Sequence, residues 1–316
     1  MGAASVVDNL EKVNVVRRIL AGLASQGVET VHYMPEHFGI VPRAVDHGRG
    51  AVHARPVVMP FEGRPGDTVA ATERLRELGV AAIVVLGGDG TSRLVGSRSG
   101  DLPIVAVSTG TNNALPSWID GTVAGIAAGL VARCAVPLDE CAPPVKRLVA
   151  RVFTGDHSVE DVALIDLAIS RERFIAARAI WEPSTIAELF LTRAEPGAIG
   201  LSAIGAHLQP VGRREPGGLR LRFGAGGTTV TAPIVPGVVR DVAIRDWSYL
   251  APDEPVELAP GRGVVALDGE REWELAGDAR VTVTLRRDGP RVVEIRRTIE
   301  LAARLGRFSS AAHAQE

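Results

Sequence analysis

The apolar residues of the first 136 positions alternate between helical spacing and short continuous runs. Helical spacing predicts helices over 8–26, 67–79 and 118–133, and the runs predict strands over 28–34, 56–60, 80–86 and 102–108. The last two runs are apolar at consecutive positions, which is typical of strands buried on both faces of a parallel sheet. This order predicts an open parallel α/β sheet of Rossmann-like type.

The pattern changes at the proline-rich segment 136–147, VPLDECAPPVKR. Short alternating runs separated by turn residues follow it, and they predict a mainly antiparallel β-rich part. A helical patch over 183–194 interrupts these runs, and a last short helix is predicted over 298–306 with a frayed tail after it. We therefore predict an α/β fold in two domains, 1–136 and 137–316.

The amino-acid composition limits the classes of function that the protein can have. The net charge of the 316 residues is −2, so no bulk field indicates a nucleic acid or a membrane surface as partner. Two cysteines are too few for a disulfide framework or a zinc site, and the scattered histidines match no metal-binding spacing. Neither a signal peptide nor an apolar run of membrane length is present, so a cytoplasmic protein is predicted.

The segment VVLGGDGTSRLVG, residues 84–96, follows a buried strand and precedes a helix, which is where open α/β sheets bind ligands. Gly87, Gly88 and Gly90 can bring backbone N–H groups close to phosphate oxygens, and Thr91 adds a hydroxyl. Asp89 would repel a bare phosphate, so it is useful there as a base for an attacking hydroxyl or as a partner of Mg²⁺. The alternative is a tight turn whose aspartate caps the next helix.

A second loop, STGTNN, follows the buried run 102–108. Its side chains can bind sugar hydroxyls and phosphates, and the residues concerned are Thr109, Gly110, Thr111, Asn112 and Asn113. An ordinary turn with a helix cap is the alternative. Two such loops at the ends of two buried strands favour a shared ligand crevice.

The GGDGT loop followed about twenty residues on by a G-T-x-N loop resembles the NAD kinase and diacylglycerol kinase superfamily. Three longer stretches, SVVDNLEKVNVVRRIL, LPIVAVSTGTNNALP and TVAGIAAGLVA, resemble its acetoin catabolism protein X branch, and the resemblance spans most of the chain. It implies an α/β domain followed by a β-rich domain with a nucleotide between them. It also implies ATP, Mg²⁺ and NAD as ligands and small-molecule nucleotides as partners. Assembly as a homo-oligomer is left open.

Two further motifs of the NAD kinases match in part. In ALID, residues 163–166, Asp166 matches an acid that contacts NAD, whereas Ile165 replaces an asparagine. In GAIGLSAIG, residues 197–205, Ser202 and Gly205 match a nucleotide-contacting stretch, and three hydroxyl-bearing residues are replaced by Ala198, Ile199 and Leu201. Loss of these polar groups weakens the discrimination of an NAD acceptor.

The stretch ALDGERE, residues 266–272, matches an Asp-Gly-Glu motif that the resemblance to the lipid-kinase branch implicates in catalysis. Asp268 and Glu270 are the matching acids. The alternative is a two-residue hairpin turn, which Asp-Gly favours between two apolar runs.

Superfamily members usually begin with a strand and an Asn-Pro…Gly loop before the first helix, and the present sequence has no such stretch ahead of residue 8. Either the chain is truncated, or its start is set too late, or this branch has lost the unit. Without that strand we expect a shorter sheet and weaker binding of ATP.

Three functions follow from these observations. The first is Mg²⁺-dependent phosphoryl transfer from ATP or polyphosphate to a hydroxyl of NAD or a related molecule, with Asp89 as the catalytic or metal-ordering acid. The second is a non-catalytic NAD(H)- or ATP-binding regulator of acetoin catabolism. The third is phosphorylation of a lipid or polyol hydroxyl through Asp268 and Glu270.

Overall fold

The computed structural model describes residues 9–46, 52–110, 113–172, 182–258 and 261–309. Helices and strands alternate first, in the order α1 (Asn9–Ser25), β1 (Thr30–Tyr33), α2 (Ile40–Asp46), β2 (His53–Pro56), α3 (Pro65–Glu77), β3 (Ile83–Gly87), α4 (Asp89–Gly96), β4 (Ile104–Ser108), α5 (Gly121–Ala132) and α6 (Leu138–Cys141). Strands then dominate: β5 (Arg147–Thr154), β6 (His157–Ala163), β7 (Asp166–Ser170), β8 (Ile186–Leu191), helix α7 (Leu201–Leu208), β9 (Gly218–Val235), β10 (Val238–Leu250), β11 (Pro255–Leu258), β12 (Gly263–Leu267), β13 (Glu270–Leu275), β14 (Arg280–Arg286) and helix α8 (Ile295–Arg304).

The N-terminal strands form two parallel pairs, β1 with β2 and β3 with β4. An apolar cavity of about 790 Å³ runs between β1 and β3, and consecutive residues of both strands line it together with α1 and α3.

Glycine lets α1 and α5 pack closely against each other. A Cβ atom at Gly125 would collide with the carbonyl of Ile19, and one at Gly22 would collide with the carbonyl of Thr122. Helix α8 returns to this layer from the end of the chain, and its Ile295 belongs to the same apolar core.

The β-rich part consists of a six-stranded antiparallel sheet, in the order β10-β9-β8-β7-β12-β13, and a four-stranded one, in the order β11-β14-β5-β6. The two sheets share a core that includes Phe190 and Val265 from the larger sheet and Leu148 and Val283 from the smaller one. Helix α7 covers the opposite face of the larger sheet through residues such as Ile204. The predicted fold class is confirmed, because parallel strand and helix units precede antiparallel sheets.

Three of the predicted elements are wrong. The predicted helix over 183–194 is a single 3₁₀ turn, Pro183–Thr185, followed by strand β8, because pairing with β7 and β9 overrides the local helix preference of this segment. The predicted strand 56–60 lies earlier, as β2 at His53–Pro56. The run RVVEIRR, residues 291–297, forms one bridge beside β4 and then begins α8.

Within the described part of the chain, no helix is both long enough and apolar enough to cross a membrane.

Candidate functional site

The two loops predicted to bind a ligand lie side by side. They follow β3 and β4, whose last paired residues are Gly87 and Ser108. The Thr109 N–H donates to the Gly87 carbonyl at 3.4 Å, and the side chain of Asn113 donates to the Ser108 hydroxyl at 2.8 Å. The described residues of the second loop therefore form one rigid edge with the first. Thr111 and Asn112 lie outside the described residues.

The first two glycines of GGDGT lie in tightly packed places, one within the first loop and one between the two loops. A Cβ atom at Gly87 would lie 2.9 Å from the Thr91 side chain, and one at Gly88 would lie 2.8 Å from Asn113 Oδ1. Gly90 faces the Glu270 carboxylate, which lies 3.5 Å from where its Cβ would be. Of the three glycines, Gly90 therefore has room for a Cβ atom, on the side of the β12–β13 turn.

Asp89 joins the two loops. It is the first residue of α4, and its side chain does not cap that helix. Its carboxylate instead accepts the N–H of Leu115 at 2.7 Å and that of Ala114 at 2.9 Å, both just beyond the second loop. Burial raises the pKa of Asp89, against the effect of these two N–H groups and of Arg193. Asp89 is thus an anion that positions the second loop.

The carboxylate of Asp268 positions another turn of the backbone in the same way. Asp268 and Gly269 have φ values of 50° and 78° and connect β12 to β13, so the hairpin interpretation of this motif is correct. Its carboxylate, which is fully buried, accepts the N–H groups of Leu164, Ile165 and Asp166 at 3.0, 2.7 and 3.2 Å. Burial, together with the charge on Asp89, raises the pKa of Asp268 to about 7.

Asp166 completes a buried group of three aspartates. Its carboxylate accepts the Gly269 N–H at 3.2 Å, and its own carbonyl accepts the Asp268 N–H at 2.8 Å. Burial and the charges of Asp268 and Asp89 raise the pKa of Asp166 well above its usual range. Desolvation and the two like charges therefore favour the protonated form of Asp166.

The position next to Asp166 shows why the asparagine of the NAD kinases is absent. Ile165 is buried and belongs to an apolar core with residues of β3 and β4, such as Val85 and Ala106. Packing against the parallel strands therefore occupies this position. This core also fixes the start of β7 beside the two loops.

Two buried arginines in the group were not found from the sequence. Arg93 of α4 contacts Asp161 at 3.1 Å and lies 3.8 Å from the Asp268 carboxylate. Arg193, just after β8, donates to the Ala114 carbonyl next to the amide that Asp89 binds. Neither arginine lies in a recognisable motif, so spacing alone gave no signal for them.

Glu270 differs from the three aspartates because its side chain is exposed. It begins β13, two residues after Asp268, and its carboxylate lies over Gly90. In this arrangement Glu270 is the acid best placed to contact a molecule bound in front of the GGDGT loop.

The remaining predicted residues lie apart from this group. Ser202 is buried in α7, and a Cβ atom at Gly205 of the same helix would collide with the Leu191 side chain, so both serve the packing of α7 on the larger sheet. Ala198 and Ile199 precede that helix, and Leu201 begins it.

The described residues contain no group of three or more His, Cys, Asp or Glu side chains arranged to hold a metal ion. The carboxylates of Asp89 and Asp268 already accept backbone N–H groups. These residues do not fit a resident Mg²⁺, which prefers octahedral oxygen ligands.

The fold and the paired loops define an NAD-kinase-like α/β protein. Residues 8–133 match the family model described as the ATP-NAD kinase N-terminal domain. The structure of yeast NADH kinase complexed with NADH matches the fold with a TM-score of 0.53 at 14% identity, covering 95% of this chain and 86% of that one.

The C-terminal part of the chain shows to which family within this class the protein belongs. Residues 146–288 match the model of the acetoin catabolism protein X C-terminal domain. A protein from Cupriavidus necator named acetoin catabolism protein X is 41% identical over 305 residues, covering 93% of this chain and 85% of that protein. The chain belongs to the acetoin catabolism protein X family.

Proposed function

We propose that this protein is a phosphotransferase of NAD kinase type. It would transfer a phosphoryl group from ATP or polyphosphate to a hydroxyl of NAD(H) or a related small molecule. The observation that carries the proposal is the meeting of three features at one place: the loop Gly87–Thr91, the loop from Ser108 and the acid Glu270. The ATP-NAD kinase N-terminal domain model that matches residues 8–133 supports the same class, and the NADH kinase fold agrees with it.

The residues divide into two roles. Asp89, Asp166 and Asp268 position the loops through backbone N–H groups, and the N-terminus of α4 at Gly88 and Asp89 offers N–H groups to phosphate oxygens. Glu270 is the base that takes the proton of the acceptor hydroxyl. As that proton leaves, the acceptor oxygen forms a bond to the terminal phosphorus and the bond to the bridging oxygen breaks, which releases ADP when ATP is the donor.

Any Mg²⁺ in this reaction would arrive with the phosphates of the nucleotide, because the described residues provide no protein cage for it. Such an ion keeps most of its water ligands and needs one or two carboxylates.

The test is phosphoryl transfer by the purified protein, with ATP or polyphosphate and Mg²⁺, to NAD and to NADH, with the product measured by mass spectrometry. Glu270→Gln should lower kcat by about 100-fold or more while nucleotide affinity stays within about threefold. The matched control is Glu257→Gln, which alters an exposed glutamate on β11. Equal rates in the two variants would exclude Glu270 as the base.

A second candidate is a nucleotide-binding regulator without turnover. It is favoured by the state of Asp89 and Asp268, whose carboxylates are engaged by backbone N–H groups and so are not poised for proton transfer. Calorimetry would then show binding of ATP or NAD(H) with no product after long incubation. Turnover that depends on Glu270 would rule this candidate out.

Phosphorylation of a lipid or polyol hydroxyl remains a third candidate, because the Asp268 and Glu270 pair lies beside the GGDGT loop. The same assay with glycerol and diacylglycerol as acceptors tests it. A cytoplasmic location and assembly as a homo-oligomer remain proposals.

A further inference from the structure

A second cavity, of about 590 Å³, lies between the segment that follows the STGTNN loop, the loop before β9 and the start of α8. We call it the arginine cleft. Its lining residues are Ser117, Trp118, Ile119, Glu195, Gly212, Arg213, Arg214, Glu215, Glu294, Ile295, Arg296, Arg297 and Glu300. Its volume is within the range of about 300–1,000 Å³ that is usual for small-molecule sites.

The charged groups of the cleft are not all matched. Each of the four glutamates has a partner: Glu294 pairs with Arg214, Glu300 with Arg297 and Arg304, Glu215 accepts the Gly212 N–H, and Glu195 accepts the Arg213 N–H. By contrast, among the described residues the guanidinium groups of Arg213 and Arg296 have no carboxylate within 4.0 Å. The cleft therefore presents two guanidinium groups without an ion-pair partner, beside the carboxylates of Glu195 and Glu215, which accept backbone N–H groups.

Arg213 is held in this place by the backbone around it. The buried ammonium of Lys146 donates to the carbonyls of Gly212 and Gly217 at 3.0 and 2.6 Å, and Glu195 binds the Arg213 N–H at 3.1 Å. The loop is thus fixed on both sides of Arg213, so an anion that binds there meets a preorganised guanidinium.

Arg213 also lies close to a second guanidinium group. Its charge, after the burial itself, lowers the pKa of Arg193 to about 10, against the opposing effect of the carboxylates of Glu195, Asp89 and Asp268. Two guanidinium groups that repel each other in a partly buried place are stabilised by an anion that binds between or beside them.

Trp118 adds a different kind of contact. It lines the same cleft, and 72% of its surface is exposed. A large exposed indole next to arginines can stack on a nucleotide base while the arginines bind its phosphates. The first turn of α8, which also lines the cleft, adds the positive end of a helix dipole.

We propose that the arginine cleft binds a nucleotide, with its phosphates at Arg213 and Arg296 and its base against Trp118. This deepens the proposed function, on which it rests for the choice of a nucleotide as ligand. The cleft is connected to the loop site through the chain, because Ser117 follows the amides that Asp89 binds and Glu195 follows Arg193.

The test is calorimetry with ATP, NADH and inorganic tripolyphosphate on the wild type and on three variants. Arg213→Gln and Arg296→Gln should each weaken the binding of all three probes by roughly 10- to 100-fold. Trp118→Ala should weaken ATP and NADH by about fivefold or more and leave tripolyphosphate unchanged. The matched control, Arg240→Gln, alters an exposed arginine of β10 and should change none of them.

The outcomes separate the cleft from the proposed reaction. If Arg213→Gln binds as the wild type does, or if the wild type binds none of the probes, the cleft proposal is overturned. Weaker binding in Arg213→Gln without turnover in the wild type would support the cleft and contradict the phosphotransferase. Turnover by the wild type, with turnover and affinity unchanged in Arg213→Gln, would support the phosphotransferase and contradict the cleft.

Discussion

The aspartate group and the arginine cleft are neighbouring regions whose charged side chains find their partners in different ways. The carboxylates of Asp89 and Asp268 accept backbone N–H groups from segments distant in the sequence. In the cleft, the guanidinium groups of Arg213 and Arg296 have no carboxylate partner among the described residues. In the first region the protein itself supplies the partners of the charged groups, whereas in the second an anionic ligand would supply them.

The difference shows that a conspicuous acid in a loop motif need not be the reacting group. An ion with all its hydrogen bonds made to the backbone positions that backbone, and removing it leaves buried N–H groups unsatisfied. An unpaired ion at a cavity costs free energy until a ligand arrives. We therefore assign positioning to Asp89 and Asp268, proton transfer to Glu270, and ligand binding to Arg213.

The largest expected effect on stability is that of Asp268→Ala. It removes the acceptor of three buried N–H groups, at Leu164, Ile165 and Asp166, and places alanine at a φ of 50°. We expect the free energy of unfolding to fall by about 3–5 kcal/mol, measured by urea denaturation. Asp268→Asn is the control, since asparagine keeps an acceptor and tolerates this φ, and it should cost less than half as much. Equal losses would contradict the positioning role.

A change of pH should have a smaller effect on the free energy of unfolding. Because the pKa of Asp166 is raised in the folded state, the folded protein holds a proton that the unfolded chain loses above pH ~4. Stability should therefore fall as the pH rises above about 4 and through the range near 7 where Asp268 also titrates. In Asp166→Asn this fall should shrink by about 1–3 kcal/mol, measured by thermal unfolding across the range. An unchanged pH profile would show that Asp166 is ionised in the folded state.

Gly88→Ala should cost about 1–2 kcal/mol, because the added Cβ would lie 2.8 Å from Asn113 Oδ1 and push the two loops apart. Gly66→Ala in α3 is the matched control, because a Cβ there meets nothing within 4 Å and alanine favours the helix. Thermal unfolding of both variants measures the difference. Similar behaviour of the two would mean that the loops are not packed against each other as described.

The smallest expected change is a gain in the free energy of unfolding. Arg213→Gln relieves the repulsion with Arg193, so the free energy of unfolding should rise by up to about 1 kcal/mol even as ligand affinity falls. A loss of stability without ligand would show that Arg213 already has a partner in the folded protein. This result would remove the contrast between the two regions.

The sequence predicted the parts of this molecule that depend on local pattern. Periodicity located α1, α3, α5 and the buried strands β3 and β4, and the glycine-rich loops marked the edge where the site lies. It failed over 183–194, where pairing with β7 and β9 decides the structure.

The sequence named the acids and loops of the candidate site but not the contacts among them. The hairpin interpretation of the Asp-Gly-Glu stretch is correct, and the Asp268 side chain also accepts backbone N–H groups at 164–166, which the motif did not indicate. The partners of Asp89 lie 25 and 26 residues away in the chain, and Arg193 comes from the β-rich part. Such contacts depend on the three-dimensional packing, which no spacing of residue types encodes.

The most direct test of the central claim measures phosphorylated product from NADH and NAD with ATP and Mg²⁺, for the wild type and Glu270→Gln in parallel with their nucleotide affinities. The account predicts product from the wild type and a loss of about 100-fold or more in kcat in the variant, at similar affinity. Tight nucleotide binding without any product, or equal rates in both proteins, would contradict it.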